Sequence, residues 1–156
     1  MMKSKNYLLW LAAILSLITD RLTKYWIVKT IPFKASWVFI PGLFNLTYVR
    51  NKGAAWSLFS DNGSWLRWLS LAVSLGLVAF ALWGPVLKRW EQAGWGLILG
   101  GAIGNGIDRF IDGSVVDFIE FRLFEFPVFN IADTSINIGI ICLLIASFRQ
   151  PKPRKS

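Results

Sequence analysis

The sequence predicts a membrane protein of four transmembrane helices with a small β platform on one side, and three observations carry that reading. Hydrophobic residues make up 54% of the 156 residues, above the roughly 45–50% of soluble chains. The apolar residues gather into four runs of the length a bilayer core demands, about 20 residues each. Lys and Arg sit mostly in short clusters between those runs, as the topology signal of a membrane chain does. The length allows one integral-membrane domain over residues 1–156.

The first span covers about 7–28. Lys3 and Lys5 precede an uncharged run from Tyr7 to Thr19, and Asp20, Arg21 and Lys24 follow it. Such a start resembles a signal peptide, but no small-x-small cleavage site follows, so it reads as an uncleaved anchor. In the outer loop 29–64, WVFIPGLFNLTYV (37–49) is rich in β-branched and aromatic residues and broken at Pro41-Gly42. It predicts two short strands and a turn. Ala54 to Phe59, AAWSLF, suits a short amphipathic helix lying at the membrane surface. The second span, 65–84, is followed and overlapped by a charge-free stretch from Leu69 to Leu87. The third, 93–110, carries Gly100, Gly101, Gly104 and Gly106, small residues that let helices approach closely in lipid. In the loop 111–130, FRLFEFPVFN (121–130) predicts a further strand. The fourth span is 131–148, and residues 149–156 form a basic tail.

Orientation follows from the bases. With both termini cytoplasmic, the inner side holds Lys3, Lys5, Lys88, Arg89 and the tail's Arg149, Lys152, Arg154 and Lys155. The two longer outer loops hold only Lys29, Lys34, Arg50, Lys52 and Arg122. The bias favours N-in, C-in. Seven of the nine acids, Asp61, Asp108, Asp112, Asp117, Glu120, Glu125 and Asp133, fall in or beside the outer loops. Seven Trp (10, 26, 65, 68, 83, 90 and 95) lie near span ends, where an aromatic belt places them.

Composition also excludes chemistry. With no His, this chain alone builds no Ser-His-Asp triad, Cys-His dyad or HExxH zinc site. One Cys excludes an internal disulfide, and Cys142 sits mid-span as a packing residue. The +8 net charge is distributed by topology rather than in a basic domain or motif, so no nucleic-acid partner is expected. Proton chemistry is left to carboxylates, Lys, Tyr, Ser or the lone Cys.

Polar residues at membrane depth are expensive and ask for a reason. Asp20 and Lys24 are spaced i, i+4 and can pair, either to tie the first helix into the bundle or to bind substrate. Asn51 and Gly53 in VRNKGAAWS suit a turn or the close approach of an extended peptide. Asp108 shares a helical face with Asn105, while Arg109 is expected to point elsewhere and to bind a carboxylate or phosphate. Asp117 lies just beyond the outer end of the third helix, and Asp133 opens the fourth. The third helix runs outward and the fourth returns, so 16 residues of chain can bring the two carboxylates together. Close carboxylates share a proton, and one can activate water while the other donates to the leaving group. Asp133, at a helix N-terminus, is the preferred base, with Asn130 placed to orient it. The plainer alternative has Asp133 stabilising its helix start and Asp117 paired with Arg109 or Arg122.

Five ordered segments, ITDRLTK (18–24), NKGAAWSL (51–58), GGAIGNGIDR (100–109), GSVVDF (113–118) and FNIAD (129–133), resemble the motifs of bacterial lipoprotein signal peptidases, or signal peptidase II. The likeness spans 18–139, with Trp56 where the family carries Phe. The resemblance implies a metal-free and cofactor-free aspartic endopeptidase of the bacterial inner membrane, its site at the outer face. It makes Asp117 and Asp133 catalytic, with Asp20, Lys24, Asn51, Gly53, Asn105, Asp108, Arg109, Asn130 and Ala132 supporting the site or binding substrate. It further implies an extracytoplasmic β-cradle, an interfacial helix that moves over the site, and prolipoproteins carrying diacylglycerol as substrates. Membrane lipid is then the surroundings, and no obligate protein partner is expected.

Two other classes make different demands. A cation carrier would use Asp20, Asp108 and Asp117 as an acidic pathway. A serine/lysine peptidase would pair Ser57 or Ser60 with Lys52, a lysine whose wet loop offers nothing to lower its pKa. A structural adaptor would leave the interfacial acids without a role.

Overall fold

A helix forms at each of the four apolar runs. The computed structural model describes residues 6–53 and 64–149. Helix α1 spans Tyr7–Thr30, α2 Ser64–Trp83, α3 Arg89–Asp112 and α4 Ile131–Phe148. Helices α1 and α3 have 24 residues each, about 36 Å at 1.5 Å per residue, so both overshoot the spans read from hydropathy. Their ends are chemically marked. Asn6 donates its amide to the Pro85 carbonyl and accepts from the Leu87 N–H, stapling the start of α1 to the α2–α3 turn. Glu91 accepts from the Lys88 N–H at 2.7 Å and closes the first turn of α3. Gly113 at φ 67° ends that helix, in a left-handed conformation only glycine adopts cheaply.

Three strands, β1 (Ser36–Ile40), β2 (Phe44–Asn51) and β3 (Val115–Phe121), form an antiparallel sheet in the order β1-β2-β3. The first two lie where the sequence placed them, joined at Pro41-Gly42. The third does not. It forms from VVDFIEF at 115–121 rather than from 121–130, where Phe129 alone bridges Ile119. Val49 faces Asp117 and Asn51 faces Val115 across the β2–β3 register, so Asp117 stands on a strand rather than in a loop. The expected interfacial helix at 54–59, with Ser57 and Ser60, lies outside the described residues.

Helix α3 is the centre of the bundle, packed against α1, α2 and α4. Its glycines permit this. A Cβ at Gly100 would strike the Ala13 carbonyl of α1, and one at Gly101 the Ala132 carbonyl of α4. The sheet is docked by its underside, where Tyr48, Val116 and Phe118 pack with Ile27 and Ile31 at the end of α1.

The burial pattern is inverted relative to a water-soluble protein. Leu22, Tyr25, Leu75, Trp83 and Phe148 are exposed, whereas Asp20, Lys24, Asn105, Asp108 and Asn130 are buried. Two helices, at Trp65–Trp83 and Ile131–Phe148, are long and apolar enough to cross a membrane by length and composition. Helices α1 and α3 are more polar: α1 carries Asp20, Arg21, Lys24 and Lys29, and α3 carries Arg89, Glu91, Asp108, Arg109 and Asp112 besides its glycines.

Candidate active site

The charges that interrupt α1 and α3 face one another. Lys24 Nζ lies 2.9 Å from Asp20 Oδ2 and 2.8 Å from Asp108 Oδ2, and it donates to Asn105 Oδ1 at 3.0 Å. The ammonium therefore sits among three oxygens, two of them from carboxylates. Arg21 pairs with the other oxygen of Asp108, a partner its sequence position gave no reason to expect. Asp20 reaches to α4, where its Oδ1 accepts the Ala132 N–H at 3.0 Å. That N–H is one of the four a helix start leaves unpaired. Ala132 is fully buried, so no water reaches the group.

From this buried platform the polar chain runs upward through two asparagines. Asn105 accepts from Lys24 and from Asn130, and donates its own amide to Asp133 Oδ1 at 2.7 Å. Asn130 caps α4: its Oδ1 accepts the Asp133 N–H at 2.9 Å, and its backbone N–H donates to Asp133 Oδ2 at 3.2 Å. Its side-chain amide donates to Asp117 Oδ1 at 2.7 Å. Asn51, at the end of β2, donates to Asp117 Oδ2 at 3.1 Å, and its own oxygen accepts the Gly53 N–H at 3.0 Å. Each carboxylate thus has both oxygens held, and Asn130 touches both residues.

Asp117 is buried on β3, with 2% of its surface exposed. Burial, and secondarily the charge of Asp133, pushes its carboxyl up to about 7, against the pull of the Asn51 and Asn130 amides and of Lys24. Asp117 is therefore poised to hold a proton near neutrality. Neither alternative partner forms an ion pair with Asp117 among the described residues. Arg122 pairs with Glu120 at 2.9 Å, and Arg109 donates weakly to Ser70 Oγ (3.4 Å) and the Gly53 carbonyl (3.5 Å). Arg109 does not point away from Asn105, as its sequence position suggested. At i+4 it lines the same cavity, and its Nε is buried without a hydrogen-bond partner among the described residues.

That cavity, of about 500 Å³, contains Asn105, Arg109, Asp117 and Asp133 and runs along α4 past Ile138 and Ile141. It joins a more open recess of about 1020 Å³ above, lined by Arg50, Lys52, Glu120 and Arg122, with Asn51, Asp117 and Phe121 in both. An apolar lower lobe and a polar upper lobe meet at Asp117. All eleven residues singled out from the sequence fall at this junction or in the network beneath it. Sequence reading missed Arg21 and the cavity wall formed by Val115, Phe129, Thr134 and Asn137; of these, Asn137 carried a readable signal as an amide inside an apolar span.

Comparison with known proteins adds an independent line. The model of a family described as signal peptidase (SPase) II matches residues 12–149. The chain is 59% identical over 150 residues to a lipoprotein signal peptidase of Nostoc sp., covering 96% of this chain and 95% of that one. It is 56% identical over 156 residues to one of Microcystis aeruginosa, covering 99% and 98%. Its fold is similar to a bacterial membrane enzyme solved by the in meso method at 2.3 Å resolution, with TM-score 0.83 and 36% identity over 94% of this chain and 90% of that one.

Proposed function

Because the chain belongs to the signal peptidase II family, we propose that it is an aspartic endopeptidase removing signal peptides from prolipoproteins, with Asp117 and Asp133 as its catalytic pair. In this reading all four helices cross the inner membrane, N-in and C-in, as one domain, with the sheet and both carboxylates at the outer face. The charges of α1 and α3 are tolerated in the bilayer because Lys24 and Arg21 neutralise Asp20 and Asp108 inside the bundle. The same pairing argues against a cation pathway, since those acids are not open to a passing ion.

The observation that carries the mechanism is the pair of carboxylates joined by Asn130, which donates to Asp117 and caps the helix at Asp133, with Asp117 the more deeply buried of the two. Asp133, held by Asn105 and Asn130, takes a proton from water as the water oxygen bonds to the scissile carbonyl carbon. Asp117 gives its proton to the departing amine as the C–N bond breaks, and the proton that Asp133 took from water then passes to Asp117, which resets the site. The bond cleaved is the one before the diacylglyceryl-bearing Cys, whose acyl chains stay in the outer leaflet. No metal or cofactor enters these steps.

Positioned acid and base groups contribute roughly 10²–10⁴-fold each. Asp117→Asn and Asp133→Asn are each expected to lower cleavage of a lipidated precursor by at least about a hundredfold, read by gel shift. The same precursor without lipid should remain intact with the wild-type protein. Near-normal cleavage by either Asn variant would sink the assignment.

A further inference from the structure

One polar group in the lower lobe has no role in the chemistry above. Asn137 follows Asp133 by four residues on α4, so it lies on the same face about 6 Å deeper, at 1.5 Å per residue. It is exposed, lines the cavity, and its amide makes no hydrogen bond to any described residue. It shares the cavity wall with Phe129, Ile138 and Ile141, and with Asp133 and Thr134 one turn nearer the site. The other asparagines near the site, Asn51, Asn105 and Asn130, are all tied into the carboxylate network. Asn137 thus presents a free amide donor to the cavity one helical turn below Asp133, and covering it with a purely apolar ligand would leave it unpaired, which is costly.

We infer that Asn137 is a substrate-contacting residue, its side-chain N–H donating to a carbonyl oxygen of the bound precursor one helical turn below the scissile bond. This rests on the peptidase reading and adds a contact to it. The geometry favours a carbonyl. The lobe is continuous with Asp117 and Asp133, so whatever enters it is attached to the reacting group. A signal helix that unwinds to present its scissile bond frees backbone carbonyls at this depth, because they lose their i+4 partners. A diacylglyceryl group brings ester carbonyls to the same level. Both offer carbonyl acceptors, and an amide donor is the complementary group.

The test uses the full-length protein in detergent or nanodiscs. Two variants are compared, Asn137→Leu, which keeps volume and removes the donor, and Asn137→Ser, which keeps a donor. Side-chain hydrogen bonds in bilayers have energies equivalent to roughly three- to twentyfold in an equilibrium constant. Asn137→Leu should lower kcat/KM for a lipidated precursor by that factor while thermal stability holds or rises, because an apolar residue now lines an apolar lobe. Asn137→Ser should keep most of the activity. A precursor whose glycerol carries ether-linked chains separates the two sources. A Leu penalty that vanishes on the ether lipid assigns the ester carbonyl, and one that persists assigns a peptide carbonyl. Wild-type kcat/KM in the Leu variant, or equal losses in Leu and Ser, would overturn the contact and leave the peptidase reading standing. Failure of the wild-type protein to cleave the lipidated precursor would overturn both.

Discussion

Asn130 has two amide hydrogens and three acceptors in reach: Asp117 Oδ1 at 2.7 Å, Asn105 Oδ1 at 3.0 Å and the Val116 carbonyl at 3.3 Å. Its orientation is not free, because its oxygen is committed to the Asp133 N–H. The amide must then face Asp117, so one residue caps a helix and aims both acids. Asn51 acts on the same carboxyl from the other side. A donor to a carboxylate favours the charged form, so Asn51 holds the Asp117 pKa below where burial alone would put it. The sign of its removal follows. With Asp117 as the proton donor, cleavage falls as pH rises through about 7. In Asn51→Ala the proton is held more tightly, and the alkaline limb of kcat/KM should move to higher pH, with a lower maximum from looser positioning. The apparent value belongs to the pair of carboxylates, so the shift is read against the wild-type profile. A limb that stayed put or moved to lower pH would remove Asn51 from the titration of Asp117.

Between elements, α1 and α3 meet through charge, and this was legible in part. The i, i+4 spacing of Asp20 and Lys24 announced a pair. That Lys24 also takes Asp108, and that Arg21 shares it, depends on the crossing of two helices whose joined residues lie 81 to 87 positions apart in sequence, which spacing alone does not encode. The third strand was misplaced for a physical reason. FRLFEFPVFN alternates well, but its Phe124 stacks on Phe121 and its Phe126 meets Phe121 edge-on instead of pairing as a ladder, and Pro127 withholds a donor. Val115 and Val116, beside the turn at Gly113, take the strand. Lys24→Met tests the interlock. It leaves Asp20 without its ion-pair partner in the bundle, and breaking a buried pair costs about 3–5 kcal/mol. We expect a large fall in thermal stability. Adding Asp20→Asn should recover part of the loss, since the uncompensated charge is then gone while the side-chain oxygen still accepts from Ala132. No recovery in the double variant would mean that the pair is not an electrostatic unit.

At the scale of the whole molecule the polar interior and apolar exterior fix what the surroundings must be, but not which end faces which side. Helices show their sides to lipid in either orientation, so only the loops decide. The clustered bases at Lys3, Lys5, Lys88, Arg89 and the tail resist translocation. On the proposed N-in, C-in reading the sheet, with Trp37, Val38 and Phe39 exposed beside Lys34, lies at the opposite interface, where β1 follows α1. If that is right, Asp117 and Asp133 face the compartment into which lipoproteins are exported. If it is reversed, the cleft opens to the cytoplasm and meets no exported precursor. The lone thiol makes this measurable, because Cys142 is buried in α4 and Cys142→Ala gives a background without native thiols. On it, Phe39→Cys should react with a membrane-impermeant maleimide in intact spheroplasts, whereas Lys3→Cys and Ser156→Cys should react only after the membrane is permeabilised. Labelling of either terminus in intact cells would overturn the N-in, C-in arrangement and, with it, the placement of the carboxylates at the outer face.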